Sequence, residues 1–80
     1  MDQKEKFLNK IPIEDRIRIL KVIDQILAGN LSLLDIVKLK GYDDRFRVRV
    51  GRYRIKFTRH STFNEVTELS RRDDNTYSRL

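Results

Sequence analysis

The sequence predicts an α+β fold in which an N-terminal helical hairpin packs on a small, three-stranded antiparallel sheet. Three observations predict this class. Apolar residues recur at helical spacing in the first third of the chain. Two strictly alternating runs then follow, separated by a two-residue turn, and a weaker apolar run comes after them. The 80 residues suit a single domain, residues 1–80.

The clearest predicted helix runs from Pro12 to Ala28. Its apolar side chains recur at three- and four-residue steps, and two further isoleucines widen the stripe: Ile13, Ile17, Leu20, Ile23, Leu27, with Ile19 and Ile26. Pro12 suits a first helical turn, and Gly29 suits a C-terminal stop. A shorter helix is predicted over residues 2–10, before the break at Ile11 and Pro12. Residues 30–44 are predicted to be a connector whose leucines pack against the rest of the domain.

Cations and apolar residues alternate without interruption in residues 45–50, RFRVRV, and the alternation resumes in residues 53–57, YRIKF. Gly51-Arg52 between them fits a two-residue type II′ turn, so a β-hairpin is predicted. Residues 63–70 predict a third, weaker strand. Val66 and Leu69 are three residues apart and fall on opposite faces of a regular strand, which leaves its register open.

Pairing across this turn sets cation opposite cation at two successive levels, in the pairs Arg49–Arg54 and Arg47–Lys56. Each such pair destabilises a sheet by about 0.2–1 kcal/mol, and no acid lies between Arg45 and Arg59. A solvated polar face is the simplest interpretation, but a face of one sign favours a bound polyanion. The aromatic residues of the hairpin fall on the other face and are predicted to be core.

The net charge of +6 is concentrated in one stretch. Residues 38–59 carry nine Lys or Arg residues against two Asp residues, whereas residues 1–37 are neutral and residues 60–80 carry −1. A concentrated cationic segment is typical of nucleic-acid binding, and one arginine guanidinium can bind two phosphate oxygens at once. The predicted nucleic-acid contacts are Lys38, Lys40, Arg45, Arg52, Lys56 and Arg71.

Several classes of protein are excluded or disfavoured. The chain has no cysteine, so neither a disulfide framework nor a thiolate metal site can form. Its N-terminus lacks an apolar leader and no apolar run is long enough to span a membrane, so a cytoplasmic protein is predicted. Neither a metal nor a cofactor is predicted. Asp73 and Asp74 are interpreted as helix N-terminal charges or ion-pair partners, and His60 as a turn residue.

Four segments resemble, in order and spacing, the RelE/ParE toxin superfamily: residues 38–41 (KLKG), 46–51 (FRVRVG), 53–55 (YRI) and 71–77 (RRDDNTY). The likeness extends over roughly residues 12–78. It implies a RelE-like fold, a helical hairpin on a small antiparallel sheet. The family's usual first strand, ahead of the hairpin, has no counterpart in this sequence. The sheet edge left uncovered is a place where a partner peptide could add a strand.

In the RNA-cleaving branch of this superfamily, the resemblance implies a type II toxin that cuts mRNA in the ribosomal A site, by attack of a ribose 2′-hydroxyl on the adjacent phosphate. The positions that match its catalytic residues are Arg47, Arg49, Arg54, Arg72 and Tyr77. Arginines stabilise the developing negative charge but do not titrate. Proton transfer therefore falls to Tyr77, Lys56, His60, or the RNA and ribosome themselves.

The resemblance also implies partners. These are an acidic antitoxin, mRNA on the ribosome and, through the antitoxin, operator DNA; no membrane is implied. The antitoxin is expected to cover the cationic residues or to displace the segment around Tyr77, folding as it binds. Two alternatives stay open. One is a ParE-like gyrase inhibitor without RNA chemistry, and the other is a non-catalytic basic binding module or decayed toxin, which the missing strand suggests.

Overall fold

The computed structural model describes residues 3–71, which form two helices and four strands. In chain order these are α1 (Gln3–Asn9), α2 (Ile13–Ala28), β1 (Asp35–Lys38), β2 (Arg45–Val50), β3 (Tyr53–Arg59) and β4 (Asn64–Arg71). The predicted α+β class is confirmed. The predicted number of three strands is wrong, because the segment interpreted as a connector contains β1. This strand has four residues and a charge at each end, so its own pattern is too short to reveal it.

Local chemistry explains where α2 begins and ends. Pro12 precedes it with φ −57° and ψ 149°, and Glu14 and Asp15 place negative charge in its first turn. At the other end Gly29 adopts φ 78°, which favours glycine. The N–H of Gly29 donates to the carbonyl of Ile26, and that of Asn30 donates to Gln25, at 3.1 and 2.9 Å. These two bonds form a Schellman cap.

The face of α2 that meets the sheet is not the most regular apolar stripe. Ile19 and Ile26 are 1% and 0% exposed. By contrast, Ile13 and Ile17 remain 56% and 60% exposed, and Leu27 is 54% exposed. The two residues that only widened the predicted stripe therefore form its buried part. The helix is apolar on two adjacent sides, and one of them lies uncovered.

The sheet is a simple antiparallel meander with the order β1-β2-β3-β4. The hairpin of β2 and β3 has the predicted register: Val50 lies opposite Tyr53, and the cations meet in the pairs Arg49–Arg54 and Arg47–Lys56. The turn itself depends on Gly51, whose φ of 59° lies in the left-handed region. Strand β1 pairs with β2 over its whole length, so β1 and β4 are the two edges of this sheet.

A β-bulge in β4 explains how Val66 and Leu69, three residues apart, can lie on the same face of the sheet. Lys56 lies opposite Glu68 and Phe57 opposite Val66, so Thr67 is an extra residue on β4. The Thr67 hydroxyl donates to the Lys56 carbonyl oxygen at 3.2 Å. Because one residue is inserted between them, Val66 and Leu69 point to the same side, and each is only 8% exposed.

The helices cover one face of the sheet and leave the other face open. The core between the layers is formed by ten buried hydrophobic residues: Ile11, Ile19, Ile26, Val48, Val50, Tyr53, Ile55, Phe57, Val66 and Leu69. The predicted aromatic core residues Tyr53 and Phe57 are each 1% exposed. No helix within residues 3–71 is long and apolar enough to cross a membrane.

Candidate nucleic-acid interface

The open side of the sheet presents five cations from the central hairpin. They alternate along β2 and β3 with the residues that fill the core, so that Val48 and Ile55 are fully buried while the intervening side chains point away from the helices. We call this surface the cationic face and define it as Arg45, Arg47, Arg49, Arg54 and Lys56. Its existence follows directly from the alternation in the sequence.

Carboxylates from the two edge strands lie beside two of these cations. The Asp35 Oδ2 atom on β1 is 3.1 Å from Arg49 Nε, and the Glu68 Oε1 atom on β4 is 3.1 Å from Lys56 Nζ. These contacts relieve part of the repulsion between like charges on the hairpin. Sequence reasoning missed both acids because they come from outside the hairpin. The register of β1 and of the bulged β4 is what brings them to this face.

Arg47 and Arg54 differ from Arg49 and Lys56, since no carboxylate within residues 3–71 forms an ion pair with either one. Both are half-buried and lie on adjacent strands. Together with Arg49, Asp35 and Val37 they line a cavity of about 250 Å³, which we call the arginine cavity. A phosphate bound here meets two guanidinium groups whose charge is not already neutralised. Three predicted catalytic residues are therefore brought together.

A second cavity, of about 400 Å³, is lined by other residues of the open side of the sheet, and we call it the Tyr42 cavity. Its lining includes Tyr42, Arg45, Lys56, Thr58, Thr67 and Glu68. The Arg45 guanidinium lies over the Tyr42 ring, 4.3 Å from the ring centroid. Tyr42, in the loop between β1 and β2, was not among the residues singled out from the sequence. An aromatic residue close to a run of cations was the signal that could have indicated it.

Other predicted contacts do not lie on the cationic face. Arg71 is opposite Tyr53 and therefore points to the helix side, with its guanidinium 5.9 Å from the Tyr53 ring. Lys38 is opposite Phe46 and lies 3.7 Å from an Asp43 carboxylate oxygen. Arg52 occupies the β2–β3 turn, and Lys40 is exposed in the loop after β1. Their predicted role in nucleic-acid binding stays a prediction.

Two predicted catalytic residues, Arg72 and Tyr77, lie outside the described residues. The last described position, Arg71, ends β4 beside the β2–β3 turn. The roles that the resemblance implies for Arg72 and Tyr77 therefore stay predictions.

His60 lies away from the arginine cavity. It borders a cavity formed with Gly29 and Leu27 at the end of α2. Its Nε2 atom is 2.9 Å from a Glu65 carboxylate oxygen, and its ring stacks on Phe63 with centroids 4.5 Å apart. This arrangement fits a residue that orders the β3–β4 turn. Within residues 3–71, no group of three or more His, Asp and Glu side chains is placed to hold a metal ion.

Tyr53, the tyrosine of the Gly51-Arg52-Tyr53-Arg54 turn, has a structural role. Its hydroxyl donates a hydrogen bond of 2.7 Å to Asp15 Oδ2 in the first turn of α2. This bond holds the pKa of Asp15 below its usual value, and Arg18, 2.9 Å from the same carboxylate, contributes in the same direction. The same bond, together with burial, raises the pKa of Tyr53. The contact fixes the start of α2 on β3.

Comparison with solved structures finds the same architecture in a chain of the RelB–RelE antitoxin–toxin complex from Methanococcus jannaschii. The two chains superpose with a TM-score of 0.71 and are 28% identical, and the alignment covers 94% of this chain and 89% of that one. No family model matches the sequence, and no curated protein matches it significantly. The fold and the site therefore define a small protein with a RelE/ParE-like fold that carries a cationic sheet face.

Proposed function

We propose that this protein is the toxin of a type II toxin–antitoxin system and that it cleaves mRNA on the ribosome. The observation that carries the proposal is the pair of half-buried arginines, Arg47 and Arg54, that share a cavity and form no ion pair with a carboxylate of residues 3–71. The likeness to a chain of an antitoxin–toxin complex supports the toxin–antitoxin assignment. A self-contained apolar core and a net charge of +6 favour the toxin over an acidic antitoxin.

The proposed reaction is an internal transesterification of RNA. The ribose 2′-oxygen attacks the adjacent phosphorus, the O2′–P bond forms, and the P–O5′ bond breaks. Negative charge accumulates on the non-bridging phosphate oxygens, where Arg47 and Arg54 stabilise it. The 2′-hydroxyl loses a proton and the 5′-oxygen gains one. Lys56, directly opposite Arg47, carries a transferable proton on the same face, whereas the arginines keep theirs.

The shape of the site favours dependence on the ribosome. The cationic face is an open sheet surface, and the arginine cavity of about 250 Å³ has room for one phosphate group rather than a whole nucleotide chain. Such a surface supplies charge but little alignment of the 2′-oxygen with the phosphorus. Because correct alignment accounts for much of the rate enhancement of such reactions, the ribosome is proposed to hold the mRNA in position.

An acidic antitoxin is the proposed protein partner. Asp35 and Glu68 already show that carboxylates bind the cations of this face at 3.1 Å. An acidic segment that reaches Arg47 and Arg54 neutralises these two arginines of the arginine cavity and excludes RNA from the same site. Contact with operator DNA is proposed to occur through this antitoxin.

The test is induced expression in bacterial cells without antitoxin, followed by primer-extension mapping of 5′ ends on translated mRNA. Cuts at codon-spaced positions are expected. Arg54→Ala or Arg47→Ala should reduce cleavage by about 10²- to 10³-fold, as removal of one charge-stabilising group does elsewhere. Arg59→Ala is the matched control, because it removes the same charge from β3 but from the cavity beside α2. It should cleave normally.

Other outcomes would replace the proposal. Growth arrest and a DNA-damage response with intact mRNA would indicate a gyrase inhibitor that shares this fold. Salt-sensitive RNA binding without growth arrest would indicate a non-catalytic binding module. Circular dichroism of Arg54→Ala and Arg59→Ala should show that both variants are folded, which would separate loss of cleavage from loss of structure.

A further inference from the structure

We propose that Tyr42 and Arg45 form a subsite for an unpaired nucleobase, next to the phosphate bound in the arginine cavity. The inference rests on the proposed function in one respect, that the cationic face binds single-stranded RNA. It adds a base-binding group to a surface that otherwise offers charge alone. The Tyr42 cavity, of about 400 Å³, is the space in which the base would lie.

The stack of Tyr42 and Arg45 is the first observation. Tyr42 is 47% exposed, although a tyrosine that only anchored its loop could bury its ring. The Arg45 guanidinium is 4.3 Å from the ring centroid, so two flat groups are already stacked. A nucleobase adds a third layer, because bases stack on aromatic rings and on guanidinium planes alike. Every base has a flat face, so this contact requires an unpaired base but no particular one.

The position of the Tyr42 cavity is the second observation. Lys56 lines this cavity and lies directly opposite Arg47, which lines the arginine cavity. Side chains directly opposite on neighbouring strands are about 5 Å apart. The two cavities are therefore separated by one cross-strand pair. A phosphate in one places the base of an adjoining nucleotide within reach of the other.

The polar groups around the Tyr42 cavity are the third observation. Thr58, Thr67 and Glu68 line it. The Thr67 hydroxyl donates to the Lys56 carbonyl and one Glu68 oxygen pairs with Lys56, but each group keeps acceptor capacity for the edge of a base, and the Thr58 hydroxyl can donate as well. Thr67 is the inserted residue of the β4 bulge, so the bulge adds a hydroxyl-bearing residue at this position. Arg45, which forms no ion pair with a carboxylate of residues 3–71, supplies positive charge for the backbone of the same nucleotide.

The experiment uses the full chain and two short oligonucleotides with 2′-O-methyl riboses, which cannot be cleaved. One carries bases, and the other is abasic throughout and has the same number of phosphates. The sequence contains no tryptophan, so Tyr42→Trp introduces a single fluorescent reporter. Its emission should be quenched by the base-bearing oligonucleotide and not by the abasic one. Phe63→Trp, on the exposed β3–β4 turn, is the matched control and should respond to neither.

Affinities measured with the same oligonucleotides give the second readout. Tyr42→Ala should weaken binding of the base-bearing oligonucleotide about 5- to 150-fold and leave binding of the abasic one unchanged. Tyr42→Phe should bind normally because it keeps the ring, and Phe63→Ala should have no effect. Equal weakening of both oligonucleotides by Tyr42→Ala would overturn the subsite and assign Tyr42 to the loop structure.

Failure of the subsite and failure of the proposed function give different results. If Arg54→Ala weakens both oligonucleotides while Tyr42→Ala weakens neither, the phosphate site stands and the base subsite is overturned. If Arg54→Ala changes neither affinity, the proposed phosphate site is wrong, and quenching in Tyr42→Trp then decides the subsite by itself. Absence of binding of either oligonucleotide would overturn both.

Discussion

Replacing Arg54 by threonine should make the protein more stable while it removes the proposed function. Arg54 is opposite Arg49 and diagonal to Arg47 on the neighbouring strand. A face that only had to be solvated would not need three arginines next to one another. Threonine is a suitable replacement, because its branched side chain fits a half-buried strand position and it carries no charge.

The magnitude follows from the geometry. Asp35 lies 3.1 Å from Arg49 and offsets much of the direct repulsion between Arg49 and Arg54. Arg47 has no carboxylate partner within residues 3–71, so its diagonal repulsion with Arg54 is not offset in this way. Two unit charges about 7 Å apart repel by about 0.6 kcal/mol in a medium with the dielectric constant of water. The free energy of unfolding should therefore rise by about 0.5–1 kcal/mol.

The assay is thermal unfolding followed by far-UV circular dichroism at low salt and in 1 M salt. For a domain of this size, the predicted gain corresponds to a Tm increase of about 2–8 °C. In 1 M salt the screening length falls to about 3 Å, shorter than the distance between the arginines, so the gain should nearly vanish. Arg59→Thr, on the same strand but off the cationic face, should show little salt-dependent change.

A lower Tm for Arg54→Thr at low salt, or a gain that persisted in 1 M salt, would refute the reasoning. Either result would mean that Arg54 stabilises the sheet through packing and that the face is not electrostatically strained. Repulsion among these arginines would then give no energetic support for a polyanion site on this face. The cleavage assay on the same variant would still report separately on function.

Three further predictions concern stability. Ile55→Ala, at a fully buried position in the centre of the sheet, should lower the free energy of unfolding by about 2–5 kcal/mol, and urea unfolding should show a correspondingly lower midpoint. Tyr53→Phe removes the hydrogen bond that lowers the pKa of Asp15. A lowered carboxyl pKa stabilises the folded state at pH values above the unfolded pKa of about 3.9. The free energy of unfolding at pH 7 should therefore be higher for the wild type than for the variant, and this difference should disappear as the pH falls through the folded pKa of Asp15. Gly51→Ala, at φ 59° with the new Cβ 3.3 Å from Arg18 Nη1, should lower the unfolding free energy by about 1–2 kcal/mol, and Arg52→Ala beside it is the control.

Alternation and turn chemistry determined the central hairpin. The pattern of residues 45–57 fixes which side chains share a face, and the two-residue turn fixes the register, so both were predictable and both are confirmed. The Arg49–Arg54 and Arg47–Lys56 pairs follow from the same two facts. This part of the site was readable because its geometry is local: each element of it depends on residues fewer than ten positions apart.

Tertiary structure decided the features that join distant segments. Strand β1 has only four residues, and pairing with β2 makes it a strand, which sequence alone did not reveal. The bulge at Thr67 depends on how β4 must align with β3 to bury both Val66 and Leu69. Asp35 and Glu68 reach the cationic face through these two strands, and without them Arg47 and Arg54 could not be distinguished from the other cations.

Helix α2 shows the same limit in another form. Helical spacing correctly predicted the helix, but α2 is apolar on two adjacent sides, and spacing cannot choose which side is buried. The sheet buries Ile19 and Ile26 and leaves Ile13 and Ile17 exposed. Periodicity is a property of one segment, whereas burial depends on the surface that another segment presents. The sequence by itself therefore determined the elements and the charge of the central hairpin, and packing between elements decided which arginines remain available to bind phosphate.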